Sequence, residues 1–264
     1  GIGTKRIETE AKRLFPSAKV ARFDGDSTRG QTVAELYDDL KSGAIDIIIG
    51  TQQIAKGLDL PKLNLVGIVQ ADAGLNLPDF AASERTFQLI SQAAGRVGRG
   101  RESTRVIVQT FQPQHPAVIF GARQNYAEFY KYEIQKRRRG HFPPFAHLLK
   151  LTCQYKTERG AINASKKLAE KIAEKYAGAN NRHSENTCHS ELVSGSNKNS
   201  PAKSPNTKIP IKLLGPTPAF YERARDQFRW QIIVRAGSRQ ILQKIAALVP
   251  AAHWQVELDP WSLL

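Results

Sequence analysis

One apolar, β-branched run, Asp46-Ile47-Ile48-Ile49-Gly50, limits what this chain can fold into more than any other feature. Such a run predicts a central parallel strand, because only inside a parallel sheet are both faces of a strand covered. The surrounding pattern agrees. Thr4 is a candidate N-cap, followed by Ile7, Ala11, Leu14 and Phe15 at helical spacing and a stop at Pro16. Lys19 to Phe23 reads as a short strand, and Val33, Leu36, Tyr37 and Leu40 predict an amphipathic helix over 31–41 that ends at Gly43. Leu63 to Val69 and Arg105 to Phe111 read as two more strands. Strand alternating with helix predicts a doubly wound parallel sheet over 1–115.

From Pro116 to Arg139 the pattern predicts a connecting helix, with proline at its start and Lys136-Arg137-Arg138-Arg139 at its end. This helix and its linker occupy 116–145. After Pro143-Pro144 the period changes, because Leu149, Leu151, Cys153 and Tyr155 alternate with Lys150, Thr152 and Gln154, as in a half-exposed antiparallel strand. The elements from there read strand (146–155), helix (161–177), strand (208–214), strand (229–235), helix (238–249) and strand (253–259). That succession predicts an α+β, ferredoxin-like β-α-β-β-α-β domain over 146–264. The Asn-, Ser-, Lys- and His-rich stretch from Ala179 to Lys208 predicts a disordered insertion within it.

Charge and cysteine content narrow the function classes. Lys and Arg number 39 against 24 for Asp and Glu, a net +15, which favours a polyanionic partner. Cys153 and Cys188 are far apart and lack a CxxC neighbourhood, so no zinc site is expected on them. Nor do His183, Cys188 and His189 supply a fourth ligand, so the expected metal ligands are none. A buried strand thiol is the simpler reading of Cys153, and the composition suits a reducing cytoplasm. No run approaches the roughly 18 apolar residues of a membrane span, and the first residues lack the apolar core of a signal peptide. The chain contains no methionine and begins Gly1-Ile2-Gly3-Thr4, which suggests a piece of a longer protein.

Three motifs carry chemistry. Ser91-Gln92-Ala93-Ala94-Gly95-Arg96-Val97-Gly98-Arg99-Gly100 closes a helix whose apolar positions are Phe87, Ile90, Ala94 and Val97. Arginines at a helix end can be plain solvated charge. Here Gly95 and Gly98 also allow close approach of another surface, leaving two guanidinium forks for a phosphate, as an arginine finger requires. The finger needs a nucleotide held elsewhere, because these residues include no GxxxxGK[ST] loop. The second motif, GTQQIAKGLDLP over 50–61, leaves the carboxyl end of the predicted central strand, where open α/β sheets bind ligands. Thr51 and Gln52 suit a DNA phosphate, Gly57 permits close approach, and Asp59 could accept from a ribose or a finger arginine; an ordinary loop with an Asx turn stands as the alternative. The third group, Arg223, Arg225 and Arg229 interleaved with Tyr221, Phe228 and Trp230, suits nucleic-acid contact through the arginines, with the aromatics kept as core.

GTQQIAKGLDLP, QADAGLNLPDFAASERTFQLI and SQAAGRVGRG, in this order, resemble motifs V, Va and VI of superfamily 2 helicases. With PPFAHLLKL, GPTPAFYERARDQFRWQIIV and VELDPWSLL, the chain resembles the C-terminal half of the primosomal replication-restart DNA helicases: a RecA-like second motor lobe followed by a C-terminal domain. The resemblance covers nearly the whole chain apart from 179–208. It implies an ATP-dependent 3′ to 5′ DNA helicase acting at stalled forks. It also implies that Gln92, Arg96 and Arg99 face the ATP γ-phosphate, with Arg99 as the finger, that Gly57 and Asp59 flank the nucleotide, and that Thr51, Gln52 and Lys56 lie near single-stranded DNA. ATP and magnesium would be held mainly by a lobe outside this chain. Zinc would belong to an insertion of the family, also outside it. The implied partners are single-stranded and forked DNA, primosome proteins and single-strand-binding protein, in the cytoplasm and away from membranes. Ala93 stands where many superfamily 2 members carry an arginine, and the primosomal family tolerates alanine there. A non-enzymatic nucleic-acid-binding adaptor and a remodeller of RNA are the rival functions.

Overall fold

The computed structural model describes residues 3–23, 37–51, 60, 62–95, 105–177, 209–224 and 226–264. The chain divides into two compact units, Gly1–Gln135 and Lys136–Leu264. The boundary therefore lies inside the expected 116–145 connector.

The first unit runs α1 (Thr4–Leu14), β1 (Val20–Phe23), α2 (Tyr37–Ser42), β2 (Ile47–Gly50), β3 (Leu65–Ile68), α3 (Ala82–Ala94), β4 (Arg105–Val108) and α4 (Pro116–Ala122), and then enters α5 (Tyr126–Gly140). Its strands are parallel, as the alternating pattern requires. They pair two by two, β1 with β2 and β3 with β4. No ladder joins β2 to β3 among the described residues. Instead a cleft of about 560 Å³ opens there, lined by Ile48, Gly50 and Thr51 on one side and Val66 and Ile68 on the other. A single continuous doubly wound sheet is thus not what the described strands form.

Each pair is covered by its own helices. Phe23 and Leu40 bury against Ala21, Ile45 and Ile48, whereas Ile68 and Val108 pack on Ala71, Ile90 and Val118. The expectation of strands covered on both faces fails for the second pair. Leu65 is 55% exposed and Ile107 58%, because α3 and α4 cover only the other face. α3 buries Ala82, Ser83, Thr86, Phe87, Ile90 and Ala93, positions three and four apart that form one stripe. Phe87 stacks flat on Phe129 at a centroid distance of 4.2 Å. α4 lies tight against this stripe at Gly121, where a Cβ would come within 3.1 Å of Ile90 Cβ.

The single connecting helix expected over 116–139 is two helices. Pro116 opens α4, with His115 Nδ1 accepting from Ala117 N at 3.1 Å. The chain then turns at Gln124, whose φ of 53° no helix tolerates, and restarts with Asn125 Oδ1 accepting from Glu128 N.

The second unit holds the end of α5, then β5 (His147–Tyr155), α6 (Glu158–Ala177), β6 (Lys212–Ala224), β7 (Gln227–Ala236), α7 (Arg239–Ala246) and β8 (Trp254–Leu258). The four strands form one antiparallel sheet in the order β6-β7-β5-β8. Leu149, Leu151, Ile232 and Val234 on one face pack against Leu168 and Ile172 of α6 and Leu242 and Ile245 of α7. β6 is longer than the expected 208–214. Gly215, Pro216 and Pro218 look like strand breakers, yet β6 is an edge strand and absorbs them at two register shifts. Residues 179–208, the expected insertion, lie outside the described residues.

A half-exposed β5 is also not observed, since Lys150 is 4% exposed and Thr152 0%. A buried ammonium needs acceptors. Lys150 Nζ finds them in the main-chain carbonyls of Leu264 at 2.5 Å and Ser262 at 3.5 Å, so the segment after β8 lies over the face away from the helices.

Candidate functional site

Two of the residues expected near nucleotide and DNA in the first unit, Gln92 and Thr51, stand at the ends of described elements. Gln92 is exposed near the end of α3, off the buried stripe, and Gly95 closes the helix with its N–H on Ser91 O at 2.9 Å. Thr51 is exposed at the carboxyl end of β2. The cleft brings Thr51 together with Arg85, Thr86 and Ala93 of α3. The first and second motifs therefore meet the same cavity, through Ala93 and through Gly50, Thr51 and Leu60. Gln52, Lys56, Gly57, Asp59, Arg96 and Arg99 lie outside the described residues, as does Arg225.

Two buried acids, Asp79 and Asp72, fix segments of the first unit, and their roles are not visible in sequence. Asp79 has a fully buried side chain that accepts from Ala81 N at 2.9 Å and is paired with Arg85. It thereby sets where Arg85 enters the cleft. Asp72 is 1% exposed and accepts from Phe111 N at 2.7 Å, from Gln112 N at 3.2 Å and from the Thr110 hydroxyl. Burial pushes its carboxyl up, but these hydrogen bonds outweigh that cost and hold it below the usual carboxylate range. The result is a clamp between the turn after β3 and the loop after β4. Aspartate followed by glycine two residues on reads as a loop, and nothing local tells that its partners sit about 40 residues away, so only pairing of β3 with β4 could disclose the clamp.

In the second unit the register separates two of the arginines expected to act together. Arg223 pairs with Phe228 across the β6–β7 turn and lies over its ring at 4.4 Å. Phe228 shares its face with Trp230 and Ile232. Arg229 is on the opposite face beside Gln154, half-buried, with its Nε lacking a partner. Burial pushes the thiol of Cys153 above the usual range, in keeping with a buried strand cysteine. Among the described residues no three His, Cys, Asp or Glu side chains gather as a metal site would require.

Comparison with known proteins matches both units. Residues 3–101 match the helicase conserved C-terminal domain, and residues 138–261 match the primosomal protein N C-terminal domain. The replication restart protein PriA of Treponema pallidum (strain Nichols) is 36% identical over 246 residues, 93% of this chain and 33% of that protein. The chain belongs to the PriA family. PriA of Bacillus subtilis (strain 168) is 32% identical across 98% of this chain and 29% of its own length. PriA of Synechocystis sp. (strain ATCC 27184 / PCC 6803 / Kazusa) is 32% identical across 100% of the chain and 29% of its own length. The PriA-family chain thus spans about a third of the length of the curated relatives it matches. The helicase match ends one residue beyond the GRVGRG segment, and the primosomal match begins at Arg138, close to the boundary between the compact units.

Proposed function

We propose that this chain supplies the second motor lobe and the C-terminal domain of an ATP-dependent DNA helicase with 3′ to 5′ polarity, acting in replication restart and primosome assembly at stalled forks. The observation that carries this reading is the succession of helicase and primosomal matches along one chain. Arg99 serves as the finger on the transferred phosphoryl group, with Arg96 and Gln92 beside it and Gly57 and Asp59 flanking the nucleotide. Gln92 fits that task as an exposed amide near the end of α3, four residues before Arg96 in the sequence. Thr51, Gln52 and Lys56 lie along single-stranded DNA. ATP and magnesium are bound mainly by a lobe that carries a phosphate loop, which these 264 residues do not include. Single-stranded and forked DNA, primosome proteins and single-strand-binding protein are its partners in the cytoplasm. No described helix is long and apolar enough to cross a membrane. We read the second unit as ferredoxin-like, on the support of its β-α-β-β-α-β succession and its antiparallel sheet.

Joining this chain to the ATP-binding lobe of a PriA relative and measuring DNA-stimulated turnover tests the reading. Arg99→Ala is expected to leave ATP binding largely intact and to lower turnover by roughly 10³-fold. Turnover within a few-fold of the parent would reduce the arginine to a structural role and favour a non-enzymatic adaptor. Stimulation by RNA in place of DNA would favour the RNA remodeller.

A further inference from the structure

Between Glu133 and Glu158 the chain has no acidic residue, and Lys136, Arg137, Arg138, Arg139, Lys150 and Lys156 fall in that interval. The first four close α5. Basic residues in a last turn are commonly explained by the negative end of the helix dipole. Here that end already has a guanidinium, since Arg235 Nη1, reaching from β7, donates to Gly140 O at 2.5 Å, while Arg137 Nη1 donates to Pro143 O in the loop just beyond at 3.2 Å. Arg138 does something else. Its guanidinium lies 4.9 Å from the centroid of Phe145, an arrangement that uses the flat face of the group and leaves its N–H donors free in the plane.

Lys212 joins this corner through the sheet. It is the register partner of Arg235, the residue that holds the end of α5. Arg138, Arg139 and Lys212 are exposed, and none has a carboxylate within ion-pair distance among the described residues. Three unneutralised cations on a frame locked by two guanidinium–carbonyl bonds make a preorganised anion surface. The frame matters because little side-chain entropy is then left to lose on binding.

We propose that the end of α5 and the adjoining β6–β7 edge form a backbone-phosphate site for nucleic acid, carried by Arg138, Arg139 and Lys212. The site lies at the opposite end of β6 from Arg223, so a strand held here is distinct from one held at the β6–β7 turn. It deepens the proposed helicase reading by adding a contact that tracks the nucleic-acid backbone without reading bases.

Binding of a labelled single-stranded oligonucleotide to the full 264-residue chain, measured by anisotropy across a salt series, tests the site. For R138Q/R139Q the slope of log affinity against log salt is expected to become shallower by about 0.7 per lost contact, about 1.4 for the pair. R138K/R139K keeps the charge and should keep the slope. K212Q alone should remove about 0.7. Because Arg138 also touches Phe145, R139Q is measured separately, with melting temperature as the control for folding. An unchanged slope in folded R139Q and K212Q overturns the site, and so does absence of oligonucleotide binding by the parent chain. If polyglutamate of matched charge displaces the oligonucleotide as well as unlabelled DNA does, the surface serves an acidic protein and the nucleic-acid assignment falls. The motor reading is tested by turnover of Arg99→Ala, so each can fail while the other stands.

Discussion

The two units bury their apolar residues in different ways. The second gathers Leu149, Leu151, Leu168, Ile172, Ile232, Val234, Leu242 and Ile245 into one cluster under a continuous four-stranded sheet. The described residues of the first split into three small apolar clusters, and one face of the β3–β4 pair shows Leu65 and Ile107 to solvent. A parallel pair with a bare apolar face is unusual, because parallel sheets are ordinarily covered on both sides. The lesson is that the antiparallel unit closes its core with its own helices, whereas the parallel unit holds together through polar clamps such as Asp72 and Asp79 as well as through packing.

The strongest way to break this contrast is in the second core. Leu151→Ala should cost about 2–5 kcal/mol, the range for fully buried leucine, seen as an early unfolding transition in urea. A loss below about 1 kcal/mol would mean that the cluster is not the source of that unit's stability.

The clamp comes next in size. Asp72→Asn should destabilise the first unit by about 1–3 kcal/mol, because charge-assisted bonds to two main-chain N–H groups and a hydroxyl are weakened. The sign of the pH dependence follows from the lowered pKa. The stabilisation is fully present above the unfolded carboxyl's pKa and is lost as pH falls through the lower, folded one. Acid melts of the parent should therefore show a loss in the first unit that Asp72→Asn lacks; identical acid profiles would remove Asp72 from the explanation.

A smaller effect sharpens the geometry of the second unit. Since Arg223 and Arg229 occupy opposite faces, Arg223→Gln and Arg229→Gln should not both flatten the salt dependence of DNA binding. One of them should remove about 0.7 log units and the other little. Equal effects would require DNA to wrap the edge of the sheet.

The smallest effect is expected at the bare face. Leu65→Ser or Ile107→Ser should change stability by no more than about 0.5 kcal/mol in this chain, since neither is buried. A larger loss would show that something covers that face in solution.

Most elements were legible in the sequence, because the signals that place them are local. Ile47-Ile48-Ile49 announced a parallel strand, Phe87 and Ile90 a helix stripe, and Leu149 and Leu151 the inward face of β5. The family motifs were legible for the same reason, as contiguous strings whose order survives without any fold. What the sequence could not decide is everything that depends on which distant segments pair. Lys150 and Thr152 alternate like surface residues, yet they are buried, because the segment ending at Leu264 crosses the face they occupy. Gly215 and Pro216 look like the end of a strand, yet an edge position lets β6 continue past them. Asp72 looks like a loop aspartate, yet it is a clamp, because β3 and β4 bring residues 72 and 110–112 together. Arg223 and Arg229 look like one patch, yet the register that pairs Arg223 with Phe228 puts them on opposite faces. Periodicity is a property of neighbours along the chain, whereas register and burial are settled by long-range pairing, and a shift of one residue reverses every side chain.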